Sequence, residues 1–271
     1  MILPRAQSMM KATLPDWGFT FIHDAAERGY YLGTKLFEET YYWFWYVFSV
    51  LRGDSASIRK IKSIHLINSY SLVGRRGLLN TYDLCVRIEN NSIEGCFVEC
   101  GVARGGCSAL MAMVAAANKG GRKSWLFDSF EGLPQPTGKD PKNCGLVQGS
   151  CRGMYEEVDW LLFSKLRLDR NNVSLVKGWF QDTLPEYKDR MGAVALLRLD
   201  GDWYESTKCC LENLYDNVVP GGYVIIDDYG ALTGCKEAVD DFLNERNINV
   251  ELIDVDHIRF YFLKPDVSVG A

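Results

Sequence analysis

The stretch that most constrains this chain is Phe97-Val-Glu-Cys-Gly-Val-Ala-Arg-Gly-Gly106. Cys96 to Cys100 is a short apolar run of the kind that forms a fully buried strand. Gly101, Gly105 and Gly106 follow it, and Ser108 to Asn118 then carries the small and apolar residues of a helix. Strand, glycine turn and helix make the first crossover of a nucleotide-type α/β fold. Glycines in such a turn let the backbone approach a ligand closely, and the helix start presents unpaired N–H groups. The acid inside the motif narrows the choice of ligand. Glu99, at the carboxyl end of the strand, suits a cationic or hydroxyl-bearing ligand and not a pyrophosphate, which favours S-adenosylmethionine over NAD. A glycine-rich turn can also be only a tight turn between packed elements, so the rest of the chain has to decide.

A second acid stands where that ligand needs one. Ser124 to Asp128 (SWLFD) reads as the next strand, and Asp128 ends it about thirty residues after Glu99. An acid at the end of the second strand accepts both ribose hydroxyls in dinucleotide and adenosyl folds alike, although it can also merely cap the next turn of the chain. The candidate cofactor-binding residues are therefore Glu99, Gly101, Arg104, Gly105, Gly106 and Ser108 in the first motif, and Asp128, Ser129 and Phe130 in the second. Val173 to Lys177 is a third strand; Gly178, Trp179 and Phe180 follow it, with either aromatic ring placed to stack on an adenine. Asp200, at the end of the next strand, completes the set.

The order of elements identifies the sheet. Leu78 to Ile88 has helical spacing, with Tyr70 to Arg76 before it as a loop. Pro136 to Arg152 is a long loop of the sort that forms a lid or stays disordered, and Glu156 to Leu168 is an amphipathic helix. Ala193 to Leu199 is the fourth strand and Tyr204 to Asn217 a helix. Pro220-Gly-Gly222 reads as a turn, Tyr223 to Ile226 as the fifth strand, and Cys235 to Glu245 as a helix. Asn249 to Val255 and Ile258 to Lys264 are strands joined so tightly at Asp256-His257 that they run antiparallel. Five βα units followed by an antiparallel pair is the pattern of the class I methyltransferase, a Rossmann-like α/β fold. It has a seven-stranded, mostly parallel sheet with an antiparallel last strand.

Ligands of open α/β sheets bind beyond the carboxyl ends of the strands. Asp200 and Asp202 end strand four, and Asp227 and Asp228 end strand five. Four aspartates gathered there repel one another unless a cation lies between them or some are protonated. Only oxygen ligands are on offer, so the cation should be hard: Mg²⁺ first, then Mn²⁺ or Ca²⁺. The bland alternative is that Asp227-Asp228 caps a helix or faces water. A divalent ion also suits methyl transfer to oxygen, because it lowers the pKa of a poorly nucleophilic hydroxyl and orients it, ideally as one of two vicinal hydroxyls. The expected metal ligands are Asp200, Asp227 and Asp228, with Asp202 as the base and His257 as its rival.

With 271 residues the chain holds one large domain, or one domain with an N-terminal extension. A formal net charge of −5 excludes a polyphosphate backbone as the main partner, so no nucleic acid is expected. Nine scattered cysteines form no paired CxxC set, which argues against zinc and for a reducing, cytoplasmic setting; only Cys144 and Cys151 are close enough in a loop to suggest a disulfide. Met1 to Arg5 does not open a secretory signal. Residues 1–69 read as a helical extension that serves as a lid or oligomerisation segment, and 70–271 as the methyltransferase domain. Within the extension, Tyr41 to Leu51 (YYWFWYVFSVL) is aromatic and uncharged but shorter than the 20 or so residues that span a bilayer. Three readings stand: a helix packed on the main domain or a second subunit, an active-site lid, or an in-plane membrane anchor followed by Arg52, Arg59, Lys60 and Lys62. A homo-oligomer is expected.

The stretches SLVGRRGLLN, VECGVARGG, LFDSFEGLP, LRLDGDWYEST and GGYVIIDDYG, in this order between Tyr70 and Gly230, resemble the macrocin O-methyltransferase family. These are metal-dependent enzymes that methylate deoxysugar hydroxyls in the macrolide and novobiocin pathways. The resemblance implies a class I fold, S-adenosylmethionine, Mg²⁺ on Asp200, Asp227 and Asp228, and a base at Asp202. It also implies a small-molecule or glycan acceptor, with a catechol-like diol or a catalytically silent scaffold as the alternatives. The aromatic N-terminal segment and the closing DVDHIRFYFLK depart from the family pattern.

Overall fold

A computed structural model of the chain describes residues 40–117 and 121–266. The expectations placed on residues 1–39 lie outside them. Two compact units meet at Lys62 and Ser63, where the sequence suggested a boundary at 69/70. In the first, residues 40–52 are helical, and helix α1 (Ser55–Ile67) begins there and ends in the second.

The second unit is built on a seven-stranded sheet in the order β3-β2-β1-β4-β5-β7-β6. Its strands are β1 (Cys96–Cys100), β2 (Ser124–Asp128), β3 (Val173–Lys177), β4 (Val194–Leu199), β5 (Val218–Ile226), β6 (Ile253–Asp254) and β7 (Phe260–Leu263). Strands β1 to β5 run parallel, and β7 is antiparallel to both neighbours. Every residue of β1 and β4 is buried, because helices cover both sheet faces. Alternation divides the core accordingly. Phe97 and Leu196 join one cluster with α2 (Arg75–Asn90) and α3 (Gly106–Ala117). Val98 and Leu197 join the other with α5 (Phe180–Met191), α6 (Tyr204–Leu214) and α7 (Thr233–Glu245).

Several expected boundaries shift for physical reasons. Helix α2 begins at Arg75, not near Leu78, with Gly74 in extended conformation as its N-cap. The expected helix from Glu156 becomes a short α4 (Tyr155–Asp159) running into a π-turn, Trp160–Lys165. There Leu166 donates to the Leu161 carbonyl and Leu168 to that of Leu162, and both acceptor residues are fully buried. Pro220-Gly-Gly222 lies inside β5, because the chain end keeps pairing with it: Gly221 donates to Lys264 O at 2.9 Å and Lys264 to Gly222 O at 2.8 Å. The expected seven-residue strand from Asn249 contracts to Ile253–Asp254. All nine cysteines, Cys144 and Cys151 included, are free thiols.

The long loop 136–152 is fastened down. Asp140 is buried; its Oδ2 accepts from the Thr137 N–H at 2.7 Å and hydroxyl at 2.9 Å, and its Oδ1 accepts from the Tyr204 N–H at 2.8 Å. That last bond satisfies a donor at the start of α6, where no side-chain cap comes from the Trp203 position. Asp140→Ala is therefore expected to lower stability by about 1–2 kcal/mol. A thermal melt unchanged to within a degree would count against this anchoring.

Candidate functional site

The sheet order reverses between β1 and β4, and ligands of open α/β folds bind at the carboxyl end of that switch. Backbone hydrogen bonds carry the strand register into the loops. Gly101 N–H donates to Phe127 O at 2.9 Å, Asp200 N–H to Cys100 O at 2.8 Å, and Asp227 N–H to Leu199 O at 2.9 Å. Gly101, Asp200 and Asp227 thus stand side by side on one rim. Gly101 has φ +97°, and a Cβ there would lie 1.9 Å from the Asp200 carbonyl oxygen, so the approach requires glycine.

A cavity of about 650 Å³ opens at this rim. On one side it is walled by Glu99, Gly101, Arg104 and Gly106, with Asp128 and Ser129 at the end of β2. Trp179 and Phe180 also line it, as do Asp200, Asp202, Asp227 and Asp228. Gly105, Ser108, Phe130 and Gly178 support the wall instead of forming it. A Cβ on Gly105 would meet Val158, Ser108 bonds Glu99 from behind, and Phe130 is buried edge-on to Tyr155. Gly178 (φ +149°) turns the chain out of β3 against Thr183.

Asp128 braces the glycine turn. Its Oδ2 accepts the Val102 and Ala103 N–H groups, both at 2.8 Å, and its Oδ1 accepts the Phe130 N–H at 2.6 Å. Burial raises its pKa, and these three donors pull it back. The acid expected at a ribose therefore also holds the backbone that would approach the ligand.

The acids at the ends of β4 and β5 split into two groups. One carboxylate oxygen from each of Asp200, Asp202 and Asp228 lies within 4.8 Å of the others. Burial, and then repulsion from neighbouring acids, pushes all three carboxyls well above their usual range. Asp202 reaches the cluster from a left-handed backbone, φ +57°. Asp227, expected among the ligands, lines the same cavity but is not one of these three. Its Oδ1 accepts from Arg198 Nη2 and, at 2.9 Å, from Arg259 Nε.

Arg198 is the residue that sequence reasoning missed. It is 1% exposed and holds three acids: Glu99 Oε1 and Asp200 Oδ2 through Nη1, both at 2.8 Å, and Asp227 through Nη2. Glu99, also 1% exposed, accepts the Ser108 hydroxyl as well, and burial pushes its carboxyl up to about 7. The signal was a lone charge inside the apolar strand AVALLRL, since an unpaired arginine would not be buried there. Arg259 adds a bond from Nη1 to Asp256 Oδ2 at 2.8 Å and lines the cavity. His257, the rival base, does not line it. Its side chain is 91% exposed and its Nδ1 is paired with Asp254 Oδ2 at 2.6 Å.

The chain resembles known proteins over most of its described residues. Residues 57–264 match the profile of the macrocin O-methyltransferase (TylF) family. The chain is 35% identical over 205 residues to demethyldecarbamoylnovobiocin O-methyltransferase of Streptomyces niveus, covering 72% of this chain and 76% of that protein. It is 30% identical over 204 residues to mycinamicin III 3''-O-methyltransferase of Micromonospora griseorubida, covering 72% and 78%. Among solved structures, the O-methyltransferase NovP superposes with a TM-score of 0.65 at 34% identity, covering 73% of this chain and 83% of that one. A calicheamicin methyltransferase at 19% identity shares the fold with a TM-score of 0.57, covering 76% and 91%.

Proposed function

The chain belongs to the macrocin O-methyltransferase family, and from that premise we propose that it moves the methyl group of S-adenosylmethionine to a sugar hydroxyl of a glycosylated small molecule or glycan. The observation that carries this reading is the meeting, in one cavity, of a glycine turn under an acid with three clustered carboxylates. A relative in Streptomyces olivaceus, 36% identical over 198 residues, is an O-methyltransferase whose named substrate is a rhamnosyl-tetracenomycin, which supports a sugar as the acceptor.

The wall formed by Glu99, Gly101 and Asp128 is the donor side. Gly101 lets the backbone close on the ligand, Asp128 is oriented toward the turn, and the aromatic rings of Trp179 and Phe180 offer faces to a base. The carboxylate cluster is the acceptor side. It fits a hard divalent cation, Mg²⁺ or Mn²⁺: only oxygens are presented, and three acids kept this close in a buried setting raise one another's pKa. Asp200, Asp202 and Asp228 would hold it. When bound, such an ion lowers the pKa of an acceptor hydroxyl and fixes its direction. Asp202, with a second oxygen to spare, takes the hydroxyl proton as the oxygen–methyl bond forms and the sulfur–methyl bond breaks, leaving a neutral thioether. Asp227 instead anchors Arg198 and Arg259.

The test is incubation with labelled S-adenosylmethionine and a panel of glycosides, read by mass spectrometry, with and without EDTA. Methylated glycoside should form, vanish in EDTA and return with Mg²⁺ or Mn²⁺. Turnover that ignores EDTA would refute the metal site. Labelling confined to non-sugar diols would refute the acceptor class.

A further inference from the structure

The first unit exposes apolar surface that methyl transfer does not explain. Seven of the eight residues from Tyr41 to Phe48 are aromatic, and no charged residue stands between Thr40 and Arg52. Tyr41, Phe44, Phe48 and Leu51 recur at i, i+3, i+7 and i+10, one stripe of a helix, and they are 59, 61, 52 and 79% exposed. Trp43 at 60% and Val50 at 49% widen the stripe to about 200° of the helix circumference. The opposite side is used within the unit: Ser49 is buried, and Lys60 and Lys62 stand over the rings of Trp45 and Tyr46 at 5.6 and 5.9 Å.

The width of this arc and the charges beside it identify what it meets. A second copy of the helix, packed along that stripe, would cover a seam of roughly 100° and leave Trp43 and Val50 in water. A lipid surface covers the whole arc. The chain carries a formal charge of −5, yet on the C-terminal side of the aromatic run residues 52–62 hold Arg52, Arg59, Lys60 and Lys62 against Asp54 alone, while Glu38 and Glu39 precede the run. Trp and Tyr favour the headgroup region, and cations flanking an apolar helix favour anionic lipid. Among the described residues no helix is long and apolar enough to cross a membrane, so the contact lies in the plane of the surface. We propose that residues 40–62 form a docking surface for anionic membranes, which holds the enzyme at a bilayer. The proposal stands apart from the methyl-transfer reading.

Co-flotation of the full chain with vesicles tests it. The protein should rise with phosphatidylglycerol-containing vesicles and bind pure phosphatidylcholine roughly tenfold more weakly. Trp43→Glu with Leu51→Glu should abolish flotation. Arg52→Glu with Arg59→Glu, both at exposed positions, should erase the preference for anionic vesicles. Wild-type protein that stays in the dense fraction with both vesicle types overturns the proposal. So does a wild-type dimer in light scattering that the Trp43/Leu51 pair splits without any vesicle binding, since the face would then join two copies.

Discussion

Asp200→Asn is expected to lower kcat at least about a thousandfold while S-adenosylhomocysteine binding stays within about threefold. The asparagine has the same shape, and its carbonyl oxygen can still accept the Arg198 Nη1 bond that Asp200 Oδ2 accepts at 2.8 Å. The fold and the donor wall should therefore survive, and only the negative charge shared with Asp202 and Asp228 is lost. If these three carboxylates hold a hard cation as proposed, removing one of them would weaken its binding and with it several kcal/mol of stabilisation at the acceptor oxygen. Asp227→Asn should behave differently. That carboxylate is committed to two arginines, so the change should appear first in the melting temperature. Steady-state kinetics with isothermal titration of S-adenosylhomocysteine checks both variants. Turnover of Asp200→Asn within tenfold of wild type would remove this acid from the cation site.

The contrast between Asp200 and Asp227 shows what the sequence could and could not say. Strand ends are legible because a buried parallel strand is an uninterrupted apolar run, and the first acid after it must fall on the rim. Asp128, Asp200 and Asp227 are located in that way, with Glu99 and Asp228 next to such ends, and all of them line the cavity. Which acids converge is another matter. It depends on the left-handed backbone of Asp202 and on two arginines, one inside β4 and one just before β7, that engage one oxygen of Asp227. Those partners come from different parts of the chain, and sequence spacing carries no information about such a meeting. Pro220-Gly-Gly222 misleads for the same reason, since turn-forming residues are kept in β5 by pairing with a segment more than forty residues on. Composition likewise could not separate a loop that floats from one pinned by Asp140 to α6.

Arg198→Met is expected to lower stability by about 3–5 kcal/mol, a fall in melting temperature of about 10 °C or more. A buried guanidinium with three carboxylates is costly to desolvate, and replacing the whole group with apolar side chains need not destabilise a protein. Removing only the arginine is different, because Glu99 stays buried without its counter-charge and Asp227 keeps only Arg259. The pH dependence is specific to this cause. Burial already raises the Glu99 carboxyl from about 4.5 to about 7, against the pull of Arg198 and Ser108. A carboxyl raised on folding favours the folded state while it is protonated, and that contribution is lost as pH climbs through the raised value. Without Arg198 nothing comparable steadies the charged form, so the variant loses more stability than wild type between pH 5 and 8. The gap in melting temperature should widen across that window, and Arg198→Lys, whose single ammonium cannot fork to three acids, should fall between. A gap that is flat or shrinks with rising pH would mean that the loss comes from packing around β4 and not from stranded carboxylates.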